Sequence, residues 1–295
     1  MNPCAIIQHP HPQQSAEANA ALGLTPLCQT IVATIGGLNA GIVQAQLKAC
    51  REAKRYAVVW LAPDMHKLMG GTVDVPGLPS HPDVAAIAEL LREHGEQCLV
   101  RVLFEFANRR PDTGGFNYIS PAVYVAAFDG IAAKLPPNAI PSWDYEASVP
   151  VNVGEWRPKL AKAAGLDRFG DLNGSAAAKA KAQREAVFVS TVTGWGLPWG
   201  IAEMGDTGGD ILTDGQVRVL QFWKPSLMFA SAYGARWLAI TNYDFGKGVW
   251  PGLKSGRWAP GPEYAGNPNV TTFTKKVLMA PEYLKTQPLP FGGIA

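Results

Sequence analysis

The sequence has few charged residues and no long apolar segment, and both shortages exclude classes of protein. Of the 295 residues, 17% are charged and the formal net charge is +2. This near-neutral balance provides no basic stripe for a phosphate backbone, which argues against nucleic acid as a partner. No run approaches the roughly 18 apolar residues of a membrane span, so no membrane span is expected. The N-terminal residues lack the charged and apolar regions of a secretory signal, so export by such a signal is not expected.

Cysteine is also scarce, and its spacing carries no known motif. The four cysteines, Cys4, Cys28, Cys50 and Cys98, contain no C-x-x-C pair, which argues against a zinc knuckle or a redox motif. All four fall on predicted strands or helices, where a free cysteine usually behaves as a small buried hydrophobe. We therefore expect free, buried thiols.

Apolar residues are abundant, and their periodicity alternates between strand and helix along the chain. They make up 47% of the sequence, which also contains 31 glycines and 24 prolines for tight connections. The periodicity predicts strands at 4–8, 27–35, 56–62, 98–106, 139–147, 160–169, 199–204 and 236–245. It predicts helices at 14–22, 39–54, 82–94, 120–135, 175–192, 214–233 and 271–284, with a kink at Pro225.

Eight strands with intervening helices in a chain of 295 residues are typical of an α/β protein with a (β/α)8 barrel, the TIM barrel. No repeat or break in composition divides the chain, so residues 1–295 are predicted to form a single barrel domain. In that fold the carboxyl ends of all the strands open on one face. Polar residues that are far apart in sequence but close a strand would then meet there.

Two predicted strands end in a glutamate. Glu105 closes the fourth strand and Glu203 closes the seventh, and a buried strand accepts a carboxylate only where it emerges into a site. Two facing carboxylates can divide the roles of general acid and nucleophile, which favours glycoside hydrolysis. The alternative is structural: the glutamates would form buried ion pairs with Arg101, Arg109 or Lys247.

Further polar and aromatic residues lie at predicted strand ends or in the loops that follow. The candidate substrate-binding residues are Arg101, Asn108, Asp64, Trp143, Asp167, Trp199, Tyr243, Asp244, Trp250 and Trp258. The last two tryptophans lie in the long loop 246–268, which we predict to form a wall of the groove. Three other tryptophans, Trp60, Trp223 and Trp237, are predicted to be core residues.

A metal site is a weaker interpretation of the same strand ends. Asp64, His66 and Asp244 are candidate ligands of a metal-dependent barrel hydrolase. A metal site needs three or four converging ligands, and the remaining histidines lie outside the predicted barrel mouth. We therefore expect no metal and no cofactor.

The segment around Glu105 resembles glycoside hydrolase family 26, which contains β-mannanases and related β-glycanases. The family pattern Leu-Arg-x-x-His-Glu-x-Asn matches Arg101 and, at the general acid, Glu105. Further matches follow in order at Tyr124, Phe128, Trp143, Asp167, Glu203 and the run Asn242-Tyr243-Asp244. The resemblance covers residues 22–244 and implies a retaining double displacement, with Glu105 as acid and base and Glu203 as nucleophile.

The sequence departs from the family pattern at three positions near the acid and nucleophile. Phe104 replaces the histidine before the acid, and Asn108 lies one position later than the family asparagine. Phe169 stands where the family usually has a tyrosine that contacts the nucleophile. These differences imply a different sugar or the loss of catalysis.

Similar barrels also occur in actinobacteriophage minor tail proteins. That resemblance implies a location on a virion tail or outside the cell, with tail proteins or further copies of the chain as partners. The leading interpretation is a hydrolase whose partner is a polysaccharide or a cell-wall glycan. The alternative is a catalytically inert barrel that binds glycan or serves as a structural part of the tail.

Overall fold

The structure is a computed structural model that describes residues 4–8, 28–63, 74–108, 119–170, 175–206, 217 and 219–241. For residues 4–8, 108, 219, 240 and 241 it describes the backbone alone. The predicted helices at 14–22 and 271–284 and the loop 246–268 lie outside these ranges.

Strands and helices alternate through the described residues. The strands are β1 (Cys4–Gln8), β2 (Cys28–Ile35), β3 (Tyr56–Pro63), β4 (Cys98–Val102), β5 (Ala139–Glu146), β6 (Ala163–Phe169), β7 (Trp199–Gly205) and β8 (Trp237–Thr241). The α-helices are α1 (Ala40–Glu52), α2 (Pro82–His94), α3 (Pro121–Ala132), α4 (Ala176–Gly194) and α5 (Lys224–Ala232).

The chain divides into two compact units, and the first comprises residues 28–165 and 194–197. Within it, neighbouring strands follow the order β2, β3, β4, β5 and the start of β6. The pairings from β2 to β5 are parallel, and their register places Trp60 beside Arg101 and Arg101 beside Ser142. Apolar side chains of the central strands, such as Val59 and Val100, are fully buried in the core.

The second unit comprises residues 1–27, 166–193 and 198–295. Its strand order is the remainder of β6, then β7, β8 and β1. The pairs β7 with β8 and β1 with β8 are parallel, and the register of β7 is irregular between Ile201 and Met204. Alternating strands and helices with parallel pairing confirm the predicted α/β class. Closure into one barrel domain over residues 1–295 stays a prediction.

Local sequence signals account for several helix boundaries. The side chain of Asn39 caps α1 by accepting a hydrogen bond from the amide of Ile42 at 3.2 Å. Ser120 caps α3 in the same way, accepting from the amide of Val123 at 3.3 Å. Helix α2 ends before Gly95, whose φ of 75° suits a residue without a side chain. The helical spacing of the apolar residues in α1 predicts that Ile42, Val43, Leu47 and Cys50 face the core; the last three are buried, but Ile42 is 54% exposed.

Two elements differ from their predicted form. Strand β4 ends at Val102 and not at residue 106, because Leu103 and Glu105 have left-handed φ values of 46° and 55°. The helix predicted at 214–233 contains a π-helical segment, Val219–Trp223, directly before α5. Pro225 is the second residue of α5 and directly follows this change from π-helical to α-helical geometry.

Candidate active site

Glu105 follows β4 in a turn that few sequences adopt without glycine. Leu103 and Glu105 both have left-handed backbone conformations, which cost an ordinary residue roughly 1–2 kcal/mol each. The chain then enters a short 3-10 turn, Phe106–Asn108. Glu105 itself is half-buried. Such conformations persist only where surrounding contacts hold them, and they are concentrated at functional sites.

A buried ion pair lies in the same unit as Glu105. The Arg101 guanidinium donates from Nε to the carboxylate of Asp144, and both side chains are 0% exposed. Ser142 donates its hydroxyl to the same carboxylate. This pairing satisfies Asp144 from two neighbouring strands and fixes the orientation of the guanidinium.

Two aromatic rings cover the Arg101 guanidinium. Its central carbon lies 5.0 Å from the ring centre of Trp60 and 4.7 Å from that of Phe104. The two rings are 5.4 Å apart, and both residues are half-buried. The residue directly before Glu105 is therefore held by packing against a cation and an indole, where a histidine would form hydrogen bonds.

Sequence reasoning missed Trp60, which we expected in the core. The indole contacts the segment that carries Glu105, because the β3–β4 register places Trp60 beside Arg101. The alternation of side chains along a strand offers a signal, since Trp60 and Ala62 share one face of β3 and the site candidate Asp64 follows them in the sequence at the same spacing.

Trp143 belongs to an aromatic cluster around Phe106 and not to an open groove. Its ring centre lies 5.1 Å from that of Phe106, and its side chain is 0% exposed. Ser142 and Asp144 point towards Arg101, so the residue between them points to the other face of β5. The other rings within 5.4 Å of Phe106 are those of Tyr124, Tyr145 and Trp156. This position argues against a direct contact of Trp143 with sugar.

Three buried carboxylates lie near the ends of strands in the second unit. Glu203 is 7% exposed on β7, Asp206 follows that strand, and Asp167 is fully buried on β6. The neighbour of Asp167 identifies its face: Arg168 forms an ion pair with Glu185 of α4 and donates to Ser226 of α5 at 2.9 Å. Since Arg168 points to the helices, Asp167 points to the other face of the sheet.

Trp199 lies at the opposite end of β7 from Glu203. It is the first residue of the strand and is 2% exposed. Its Nε1–H donates to the carbonyl of Tyr233 at 2.9 Å, and its ring packs edge-on against Phe229 of α5. Sites in parallel α/β folds form at the carboxyl ends of strands, so this position argues against a contact with sugar.

Several predicted site residues lie outside the described part of the chain, namely Asp64, Tyr243, Asp244, Trp250 and Trp258. Asn108 is described by its backbone alone. Within the described ranges, no group of three or more histidine, cysteine, aspartate or glutamate residues could hold a metal ion. The candidate ligands of the metal interpretation, Asp64, His66 and Asp244, fall outside those ranges. In the described part of the chain, no helix is both long and apolar enough to cross a membrane.

Comparison with known proteins finds similar folds among solved structures. No protein-family profile matches the sequence, and no curated protein matches it. A family 26 β-mannanase from Bacteroides ovatus is structurally similar, with a TM-score of 0.65 at 12% identity over 96% of this chain and 90% of that one. A modular family 26 endo-β-1,4-mannanase from Cellulomonas fimi has a TM-score of 0.62 at 16% identity, covering 92% and 70% of the two chains. Xylanase 10B from Thermotoga maritima has a TM-score of 0.54 at 15% identity, covering 93% and 95%.

At sequence identities of 12–16%, these structural similarities show a shared fold and nothing further. The fold resembles that of family 26 mannanases, which agrees with the resemblance in the sequence around Glu105. The likeness to phage tail domains stays a prediction, because no comparison bears on it.

Proposed function

We propose that this chain is a glycoside hydrolase that cleaves a β-linked polysaccharide. The observation that carries the proposal is the position of Glu105, held in a left-handed turn at the end of β4. The likeness of the fold to family 26 mannanases supports the same chemistry. In the proposed enzyme the chain closes into a (β/α)8 barrel, with the active site at the carboxyl ends of its strands.

The proposed mechanism is a retaining double displacement. Glu105 protonates the leaving oxygen while Glu203 attacks the anomeric carbon and forms a glycosyl-enzyme. Glu105 then removes a proton from water, which attacks the same carbon and releases the sugar. This mechanism requires the two carboxyl groups to be about 5–5.5 Å apart.

Sugar contacts in the proposal come from two sources. The half-buried rings of Trp60 and Phe104 supply an apolar surface beside Glu105. The polar and stacking contacts come from the predicted residues Asp64, Asn108, Asp167, Tyr243, Asp244, Trp250 and Trp258. Arg101 supports the site through its pair with Asp144, since its side chain is fully buried.

The test compares two carboxylate variants on a panel of polysaccharides. Wild-type protein is expected to release reducing sugar from at least one β-mannan, β-glucan, β-xylan or cell-wall polysaccharide. Glu203→Ala and Glu105→Ala should each abolish that release. With an activated aryl glycoside, added azide should give the α-glycosyl azide with Glu203→Ala and the β-glycosyl azide with Glu105→Ala, because azide replaces the nucleophile in one case and water in the other.

Glu155→Gln is the control. Glu155 is exposed in the turn Val153–Trp156, and its carboxylate accepts a hydrogen bond from the side-chain amide of Asn152 at 2.8 Å. The variant should retain wild-type activity. A wild-type protein that binds a glycan but releases nothing from the whole panel contradicts the proposal. That result would favour the inert binding or tail module, for which Phe104 and Phe169 in place of histidine and tyrosine are the motivating observations.

A further inference from the structure

The turn that carries Glu105 contains two unfavourable backbone conformations within three residues. Leu103 and Glu105 have φ values of 46° and 55°, and Phe104 lies between them. Neither residue is glycine or asparagine, the types that adopt this region readily. Without external contacts the segment would return to an extended or right-handed conformation. The position of the Glu105 carboxylate therefore depends on groups that hold the turn.

The backbone of Leu103 is held from two sides. Its amide donates to the carbonyl of Leu61 on β3 at 2.9 Å. Its carbonyl accepts a hydrogen bond from the hydroxyl of Tyr124 at 3.3 Å. Tyr124 is fully buried in the first turn of α3, and its ring packs 5.4 Å from that of Phe106. One side chain thus reaches both flanks of the Phe104–Glu105 dipeptide.

We propose that Tyr124 is a positioning residue for Glu105, acting through its hydrogen bond to the Leu103 carbonyl. This inference rests on the proposed role of Glu105 as the acid. The hydroxyl fixes the peptide plane that follows Leu103, and the ring packs against Phe106, so the Phe104–Glu105 dipeptide between them is held at both ends. Tyr124 touches no reacting atom in this proposal.

The chain provides a close control in Tyr145. Its side chain is 1% exposed, its ring lies 5.3 Å from Phe106, and its hydroxyl donates to the carbonyl of Val149 at 2.9 Å. It therefore shares the ring cluster and the type of hydrogen bond with Tyr124. Its acceptor lies after β5 and not in the turn before Glu105. Tyr124→Phe and Tyr145→Phe each remove one buried hydroxyl from the same cluster.

The experiment has one readout that needs no activity. Hydrogen exchange of the Leu103 amide should accelerate about five- to tenfold in Tyr124→Phe, because losing the hydrogen bond to the Leu103 carbonyl lowers the free energy of local opening of the turn, and it should stay unchanged in Tyr145→Phe. The second readout is kinetic: kcat should fall about five- to tenfold in Tyr124→Phe with KM within twofold of wild type. Tyr145→Phe should retain both constants.

The outcomes separate this inference from the proposed function. If wild-type protein releases no sugar, the proposed function fails, and the Leu103 exchange rates still decide whether Tyr124 holds the turn. If both tyrosine variants change exchange and kcat equally, Tyr124 acts through general stability and the inference is overturned. Unchanged exchange and unchanged kcat in Tyr124→Phe overturn it as well.

Discussion

The Arg101 guanidinium and the Asp144 carboxylate form an ion pair from which water is fully excluded. Removing one partner of such a pair leaves an uncompensated buried charge, which costs about 3–5 kcal/mol. We therefore expect Asp144→Ala to lower the free energy of unfolding by that amount in urea denaturation. The exposed pair Arg92 with Glu89 is the control, and Glu89→Ala should cost less than about 1 kcal/mol. Equal losses in the two variants would contradict a buried role for Asp144.

Alanine substitutions at Gly200 and Gly95 compare two causes of destabilisation. At Gly200 the cause is a steric overlap in the core, and at Gly95 it is a left-handed backbone conformation. A Cβ at Gly200 on β7 would overlap the indole of Trp237 on β8, which is fully buried. Gly200→Ala should therefore destabilise by about 1–3 kcal/mol through overpacking. At Gly95 no atom lies within 4 Å of the added Cβ, so Gly95→Ala should cost about 1 kcal/mol from its φ of 75° alone. Thermal unfolding of both variants measures the difference, and a smaller loss at Gly200 would rule out the described contact.

His94 should make the stability of the fold depend on pH. Its ring is 5% exposed, and neither nitrogen has a hydrogen-bond partner among the described residues. Burial lowers the pKa of His94, the nearby charge of Arg51 lowers it further, and Glu96 opposes them. Lys48 and Glu93 line the same groove between α1 and α2.

The sign of this effect follows from which state takes the proton. Unfolded histidine titrates near 6.5, so below that pH the unfolded chain binds a proton that the folded chain resists. Stability is retained above pH 6.5 and falls as the pH drops, until the lowered folded pKa is reached. We expect wild-type protein to lose more stability between pH 7 and pH 5 than His94→Leu in urea titrations. Parallel pH curves for the two proteins would contradict the prediction.

Elements with complete local signals were predicted closely from the sequence. Helix α2 spans Pro82–His94 as expected, because its proline start, apolar stripe and Gly95 stop are all in the local sequence. Strand β5 was predicted to within one residue for a similar reason. Such elements can be predicted without knowledge of the tertiary structure, because their capping residues and their apolar periodicity indicate the same boundaries.

The sequence locates the segment that carries Glu105 but does not predict its backbone conformation. Its apolar run predicts a strand through Phe106, whereas the left-handed residues depend on tertiary contacts such as the bond from Tyr124 to Leu103. Trp143 was expected to contact sugar but packs in the cluster around Phe106, whereas Trp60, expected in the core, is half-buried and packs against Phe104. Residue type does not reveal which face of a strand meets the site, and the register with the neighbouring strand supplies that information.

The pairing of β1 with β8 sets an order on the folding of the chain during synthesis. Cys4 pairs with Trp237 and Gln8 with Thr241, so this pairing of β1 cannot form until almost the whole described chain has been made. The pairs from β2 to β5 can form much earlier, because their partners are close in sequence. During that interval the edge of β1 that later pairs with β8 has free backbone groups, and such an edge can recruit other chains. During synthesis, this edge of the first strand is therefore open to aggregation for longer than the paired edges of β2 to β5.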